Sequence, residues 1–316
     1  MNPAAPPHSS LPPAALIDAQ TLMSIRNLEL RARVVVEGFW SGLHKSPYHG
    51  FSVEFTEYRQ YTPGDDPRYL DWRVFARSDR YFLKRFEDET NLRCHLLVDQ
   101  SRSMAFGSLG YTKAAYAATL AATLGYFLHL QGDAIGLLTF DEQVRDYLPA
   151  RHRFGHLRRL MLSLEKPVSG RATDLAAPLQ RVAEIIRKRG LIVLISDFLA
   201  PLDRLEKAMV QLAACGHEVI VFQVLDPAEA TFQFREPAVF EDLETGRTLM
   251  VDPGAVRADY TRRLDEQCAA VRQLCQRLGN TCSRLTTDQP LELALFDFLR
   301  ARMQRGKAVK RVTRLA

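Results

Sequence analysis

From about residue 92 onward the chain alternates short apolar runs with helix-patterned stretches, and this alternation restricts the fold more than any other feature. Leu92 to Val98 is a mostly apolar run that ends at Asp99. Tyr111 to Leu130 reads as a long helix, after which Gly132 and Asp133 turn the chain into the strand Ala134 to Phe140. A helix near Gly155 to Leu164 leads to a loop carrying Thr173. The helix Leu175 to Lys188, closed by Gly190, precedes Leu191 to Ile195, the most apolar strand. The helix Leu202 to Ala214 precedes the strand Glu218 to Leu225. Such alternation is the mark of right-handed βαβ units and a mostly parallel sheet with helices on both faces.

The pattern breaks twice. Phe232 to Val251 alternates like a hairpin, with Glu244, Thr245 and Gly246 as its turn, so an insertion is expected at about 231–251. The helical pattern resumes from Val256 to Leu278 and stops at Gly279 and Asn280. A strand Thr281 to Leu285 follows, and Pro290 opens a last helix that ends near Met303. Before residue 92, aromatics alternate with charges in Phe51 to Tyr61 and Arg80 to Glu89. The expected organisation is a disordered Pro/Ala-rich leader over 1–20, a small β-rich subdomain over 21–90, the α/β domain over 91–303 and a basic tail over 304–316.

Charge and cysteine usage exclude several classes. The chain of 316 residues carries a formal charge of +5, but Arg300, Arg302, Arg305, Lys307, Lys310, Arg311 and Arg314 all lie at its end. Removing those seven from 42 Lys+Arg leaves 35 against 37 Asp+Glu, a near-neutral body. That distribution argues against a nucleic-acid-binding protein, although Arg151, Arg153, Arg158 and Arg159 with the tail form the patch such a protein would use. Cys94, Cys215, Cys268, Cys275 and Cys282 are odd in number and contain no C-x-x-C pair, which excludes a disulfide framework and a zinc site. The N-terminus lacks the charged start and apolar core of a signal peptide, and Ala114 to Leu128 falls short of a bilayer span. A cytoplasmic protein is expected.

The chemistry concentrates at strand ends. Asp99-Gln100-Ser101-Arg102-Ser103 begins where the first strand stops, Asp197 follows the apolar strand ending at Ile195, and Thr173 precedes a helix. In an open parallel sheet ligands collect beyond the carboxyl ends of the strands. Each of these residues alone reads better as a helix cap or a turn, but their joint occurrence on successive strand ends reverses that reading, and together they offer two carboxylates and three hydroxyls. Mg²⁺ favours about six oxygens and keeps some waters, so this set suits Mg²⁺, with Mn²⁺ or Ca²⁺ as substitutes. Two carboxylates leave the ion under-neutralised and able to attract a carboxylate from outside. That chemistry suits binding rather than catalysis.

Tyr61, Pro63, Gly64, Asp65, Asp66, Arg68, Asp71, Trp72, Ala76 and Arg77, followed by Asp99-x-Ser101-x-Ser103-Met104, resemble the bacterial domain-of-unknown-function 58 family. The resemblance runs from roughly residue 25 to 300. It implies a Rossmann-like von Willebrand factor A-like domain with a metal-ion-dependent adhesion site at Asp99, Ser101, Ser103, Thr173 and Asp197. It also implies action beside a MoxR-type AAA+ ATPase, in the manner of a chaperone-like adaptor, on a client protein and without a small-molecule substrate. Two departures stand out: Ala172 precedes Thr173 where the wider pattern often has Gly, and Phe198 follows Asp197 where Gly is common. Asp65, Asp66, Arg68, Asp71, Trp72 and Arg77 read either as a docking surface or as a structural ion-pair network behind a Pro63–Gly64 turn.

The enzymatic alternative is a Mg²⁺-dependent phosphohydrolase or nuclease. It would need a denser carboxylate shell and a base to orient water. No Walker A lysine, G-x-G-x-x-G, H-E-x-x-H or G-x-S-x-G motif occurs, so the expectation is a non-enzymatic, metal-dependent binding module.

Overall fold

A computed structural model describes residues 16–45, 57–60, 82–85, 92–168, 176–234, 236–241 and 246–313. The central sheet has six strands: β3 Arg93–Asp99, β4 Ala134–Phe140, β5 Val144–Arg151, β6 Leu191–Ser196, β7 Glu218–Leu225 and β10 Thr281–Thr286. Their order is β10-β7-β6-β3-β4-β5, parallel throughout except that β5 runs antiparallel to β4. The expected mostly parallel α/β layer is therefore the architecture observed. The chain leaves β3 towards β4 and later returns to β3's other side through β6. This reversal puts a topological switch point between β3 and β6, where the carboxyl ends of two strands diverge and leave a crevice.

The helices are α1 Ala19–Met23, α2 Leu28–Lys45, α3 Lys113–Leu130, α4 His156–Leu164, α5 Ala176–Ile185, α6 Leu202–Ala214, α7 Pro227–Thr231, α8 Pro253–Arg277 and α9 Leu291–Thr313. One face of the sheet, through Cys94, Leu96 and Val98, is covered by α2, α3, α4 and α9. The other, through Leu97, Ile192 and Leu194, is covered by α5, α6 and α8. Burial on both faces explains why β6 and β7 read as near-continuous apolar runs instead of alternating. Helix α3 lies between the sheet and α2 and is apolar almost all round, as a fully enclosed helix must be. Its start is fixed by Thr112, whose hydroxyl accepts the Ala115 N–H at 3.1 Å.

Where residues 21–90 are described, they hold more helix than strand, against the β-rich expectation. The described part contains the long helix α2 and only two short strands, β1 Glu57–Gln60 and β2 Phe82–Arg85, paired antiparallel. Leu28, Ala32, Val35, Val36 and Phe39 recur at helical spacing and are all buried in the main core. The β-branched run Val34 to Val36 favours a strand locally, but burial of the stripe against α3 overrides it. Phe39 meets Phe127 edge-on at 6.2 Å and Phe296 at 4.6 Å. Helix α2 is thus part of the principal core. Helix α9 also runs on to Thr313, into the segment expected as a tail.

The expected hairpin is present as β8 Ala238–Glu241 paired antiparallel with β9 Thr248–Val251. Strand β5 had no counterpart among the expected elements. It is an edge strand that pairs with β4 through a register irregularity around Gly136. A Cβ at Gly136 would fall 2.7 Å from His95 Nδ1 and 2.9 Å from the Ala150 nitrogen, so only glycine fits beneath that edge. Among the described residues no helix is long and apolar enough to cross a membrane.

Candidate metal centre

Asp99 is the last residue of β3 and is fully buried. Its Oδ1 accepts the Ser101 N–H at 2.8 Å, a tight turn that folds the D-x-S-x-S segment back over the strand end. Its Oδ2 accepts the Ser196 hydroxyl at 2.6 Å from the neighbouring strand β6. The Ser101 and Ser103 hydroxyls lie 3.1 Å apart, because a 3₁₀ turn over Arg102–Ala105 turns Ser103 back beside Ser101. One buried carboxylate and two hydroxyls therefore gather at the switch point. Burial, and next the carboxylate of Asp197, push Asp99 up to about 7. Among the described residues no cation pairs with Asp99.

Asp197 follows β6 and is also fully buried, but its surroundings differ. Its Oδ2 is 2.8 Å from the ammonium of Lys113, the first residue of α3. Lys113 also reaches Glu229 Oε1 at 2.8 Å. Burial works against the charged Lys113, but Asp197 and Glu229 outweigh it and hold the ammonium above the ordinary lysine value. Glu229 is itself raised by burial, an effect that Lys113 opposes. The Asp197 carbonyl oxygen accepts from Gln223 Nε2 at 3.0 Å.

Phe198, next in the chain, has φ 54°, a left-handed conformation that is rare for an aromatic residue. This explains why glycine suits the position. Here the strain is held by burial of the ring and by two bonds: the Phe198 N–H donates to Ser196 Oγ at 3.2 Å, and its carbonyl accepts from Gln267 at 3.0 Å.

A third strand end joins the edge. Asp226, after β7, caps α7 in a capping box with Glu229. Asp226 also accepts the Ser108 N–H at 2.8 Å and the Ser108 hydroxyl at 2.6 Å, which ties the segment after the 3₁₀ turn to α7. Of the five expected ligands, the structure brings Asp99, Ser101 and Ser103 together and places Asp197 on the adjacent strand end. Thr173 lies outside the described residues, as do Asp65, Asp66, Arg68, Asp71, Trp72 and Arg77. Sequence reasoning missed Ser196, Lys113, Asp226 and Glu229. The D-x-x-E of Asp226 to Glu229 before a short helix was a readable signal. Lys113, a lone cation opening an otherwise apolar helix, was another.

The donor chemistry fits a hard divalent cation. Among the described residues the donors are oxygens, and Asp99 is a buried carboxylate with only neutral donors, which a cation would neutralise. Among the described residues no group of three or more His, Cys, Asp or Glu comes together to hold a metal. An ion at Asp99 would thus rest largely on the serine hydroxyls.

Fold and site together define an α/β protein with an oxygen-donor site at the switch point of its parallel sheet. A family model described as protein of unknown function DUF58 matches residues 57–270, and the chain belongs to that family. It is 30% identical over 278 residues to the uncharacterized protein Rv1480 of Mycobacterium tuberculosis, with 86% of each chain covered. Among solved structures it is similar to BatB from Bacteroides thetaiotaomicron, at 14% identity and TM-score 0.46, covering 67% of this chain and 99% of that one. It is also similar to the SpRpn10 VWA domain, at 13% identity and TM-score 0.37, covering 64% of this chain and 92% of that one.

Proposed function

We propose that the carboxyl edge of the sheet is a metal-ion-dependent protein-binding site. The observation that carries this reading is the convergence of Asp99, Ser101 and Ser103 at the switch point, with the Asp99 carboxylate buried and no cation beside it among the described residues. Asp99 anchors Mg²⁺, or Mn²⁺ or Ca²⁺ in its place, and Ser101 and Ser103 ligate it. Asp197, already engaged by Lys113, and Thr173 are the remaining candidates. When bound, the ion supplies an electrophilic position for a carboxylate from a partner.

The residues of this chain set that position. The Ser101 N–H and the Ser196 hydroxyl orient Asp99, while the paired hydroxyls of Ser101 and Ser103 hold the turn that presents them. The chain acts as a non-enzymatic adaptor beside a MoxR-type AAA+ ATPase in assembly or maturation of a client protein. Surface-immobilised protein and the soluble ATPase test this directly. Binding that requires Mg²⁺ and is lost with Asp99→Ala is expected, and equal binding in chelator sinks the reading.

A further inference from the structure

Lys113 opens α3 and is nonetheless wholly buried. Lysine is almost never fully buried unless paired, and here both partners come from other elements: Asp197 at the end of β6 and Glu229 on α7, each at 2.8 Å. The two carboxylates that flank the switch point are thus treated differently. Among the described residues Asp99 receives only neutral donors, from Ser101 and Ser196, whereas Asp197 is supplied with a positive charge by the chain itself.

We propose that Lys113 is the resident cation of this edge. Its ammonium occupies the place at Asp197 that a divalent ion would otherwise claim, confines that ion to Asp99, Ser101 and Ser103, and weakens its binding. The inference rests on, and deepens, the metal-binding reading of the same site. An ammonium is a compact point charge, and its repulsion of an incoming cation is strong where water is excluded.

The lysine is also firmly placed. Thr112 caps the helix that carries it. Glu229 is fixed in turn by the Asp226 N–H, which donates to its Oε2 at 3.1 Å. Ser108 grips Asp226 by two bonds. Lys113 therefore joins α3, the end of β6 and α7, and it satisfies Asp197 and Glu229 whether or not an ion is bound at Asp99. It is a positioning residue for Asp197 and a determinant of metal affinity.

The test is calorimetric titration of Mg²⁺ alone into the full chain and into Lys113→Met/Glu229→Gln. This double variant removes the ammonium together with one of the two carboxylates it neutralises. Circular dichroism and thermal unfolding with and without Mg²⁺ accompany it. The double variant is expected to bind at least about tenfold more tightly than wild type, the size of effect that groups behind metal ligands have but with the opposite sign, because the group removed is a repelling cation. Its Tm should rise more with Mg²⁺, and both gains should vanish on adding Asp99→Ala.

If wild type binds and the double variant binds no more tightly, the inference is overturned and the metal reading stands. Binding by the double variant alone supports the inference and removes the ion from the resting wild-type protein. If neither binds, both fall. Should the double variant fail to fold, nitrogen-15 NMR of the Lys113 ammonium in wild type decides. A signal that stays hydrogen-bonded at saturating Mg²⁺ supports the inference, and its release to solvent overturns it.

Discussion

Replacing Asp99 by Asn should stabilise the metal-free protein while abolishing its response to Mg²⁺. Asp99 is fully buried, and burial with the neighbouring Asp197 moves its carboxyl from 3.8 to about 7. At about 1.4 kcal/mol per pH unit, holding it ionised above neutrality costs roughly 4 kcal/mol relative to the unfolded chain. Asparagine removes that cost and keeps the shape. It loses part of the bonding from the Ser101 N–H and the Ser196 hydroxyl, about 1 kcal/mol. The net expectation is a gain of roughly 2 to 3 kcal/mol, read as a higher urea midpoint at pH 8 in EDTA with an unchanged slope. Added Mg²⁺ at a hundred times its Kd should stabilise wild type by about 2.7 kcal/mol and leave the variant unmoved, bringing the two close together. A variant less stable than wild type in EDTA would refute the reasoning, because the carboxylate would then be a net stabiliser without any ion.

Three further outcomes follow from the same structure. His95 is lowered from 6.5 to about 4 by burial, with His217 and Arg93 adding to the effect. The unfolded chain therefore takes up this proton first, so the contribution of neutral His95 to stability is full above pH 6.5 and falls by roughly 3 kcal/mol as pH drops towards 4. Protonation of Asp99 stabilises the fold over the same range, so the loss is read as a difference in urea unfolding over pH 4 to 7: wild type should lose roughly 3 kcal/mol relative to His95→Gln as pH falls. At Phe198, φ 54° makes Phe198→Gly more stable than Phe198→Ala by about 1 kcal/mol, since only Ala keeps the left-handed strain; the reverse order in thermal unfolding would contradict the strained geometry. Gly136→Ala sets a methyl against His95 and the β5 backbone and should cost about 1 to 3 kcal/mol or more, with amide exchange faster first in β5.

The parallel sheet was legible because strands buried on both faces write themselves as uninterrupted apolar runs, as Leu191 to Ile195 does. The strand-end residues Asp99 and Asp197 were legible for the same reason: a carboxylate after such a run stands at the sheet's edge. Helix α2 was not, because Val34 to Val36 favours a strand until the partner surface of α3 is known. Strand β5 alternates weakly and owes its pairing to Gly136, whose meaning appears only once His95 lies beside it. The Lys113–Asp197–Glu229 bridge joins residues 84 and 116 positions apart along the chain, and no local pattern connects such distant charges.

The central claim is that Asp99 anchors a divalent ion at the switch point. Titration of Mg²⁺ into the purified full chain and its Asp99→Ala variant by calorimetry tests it most directly. Saturable one-site binding in wild type that disappears in a folded Asp99→Ala variant is the predicted result. Equal binding by both proteins, or none by wild type, would contradict it.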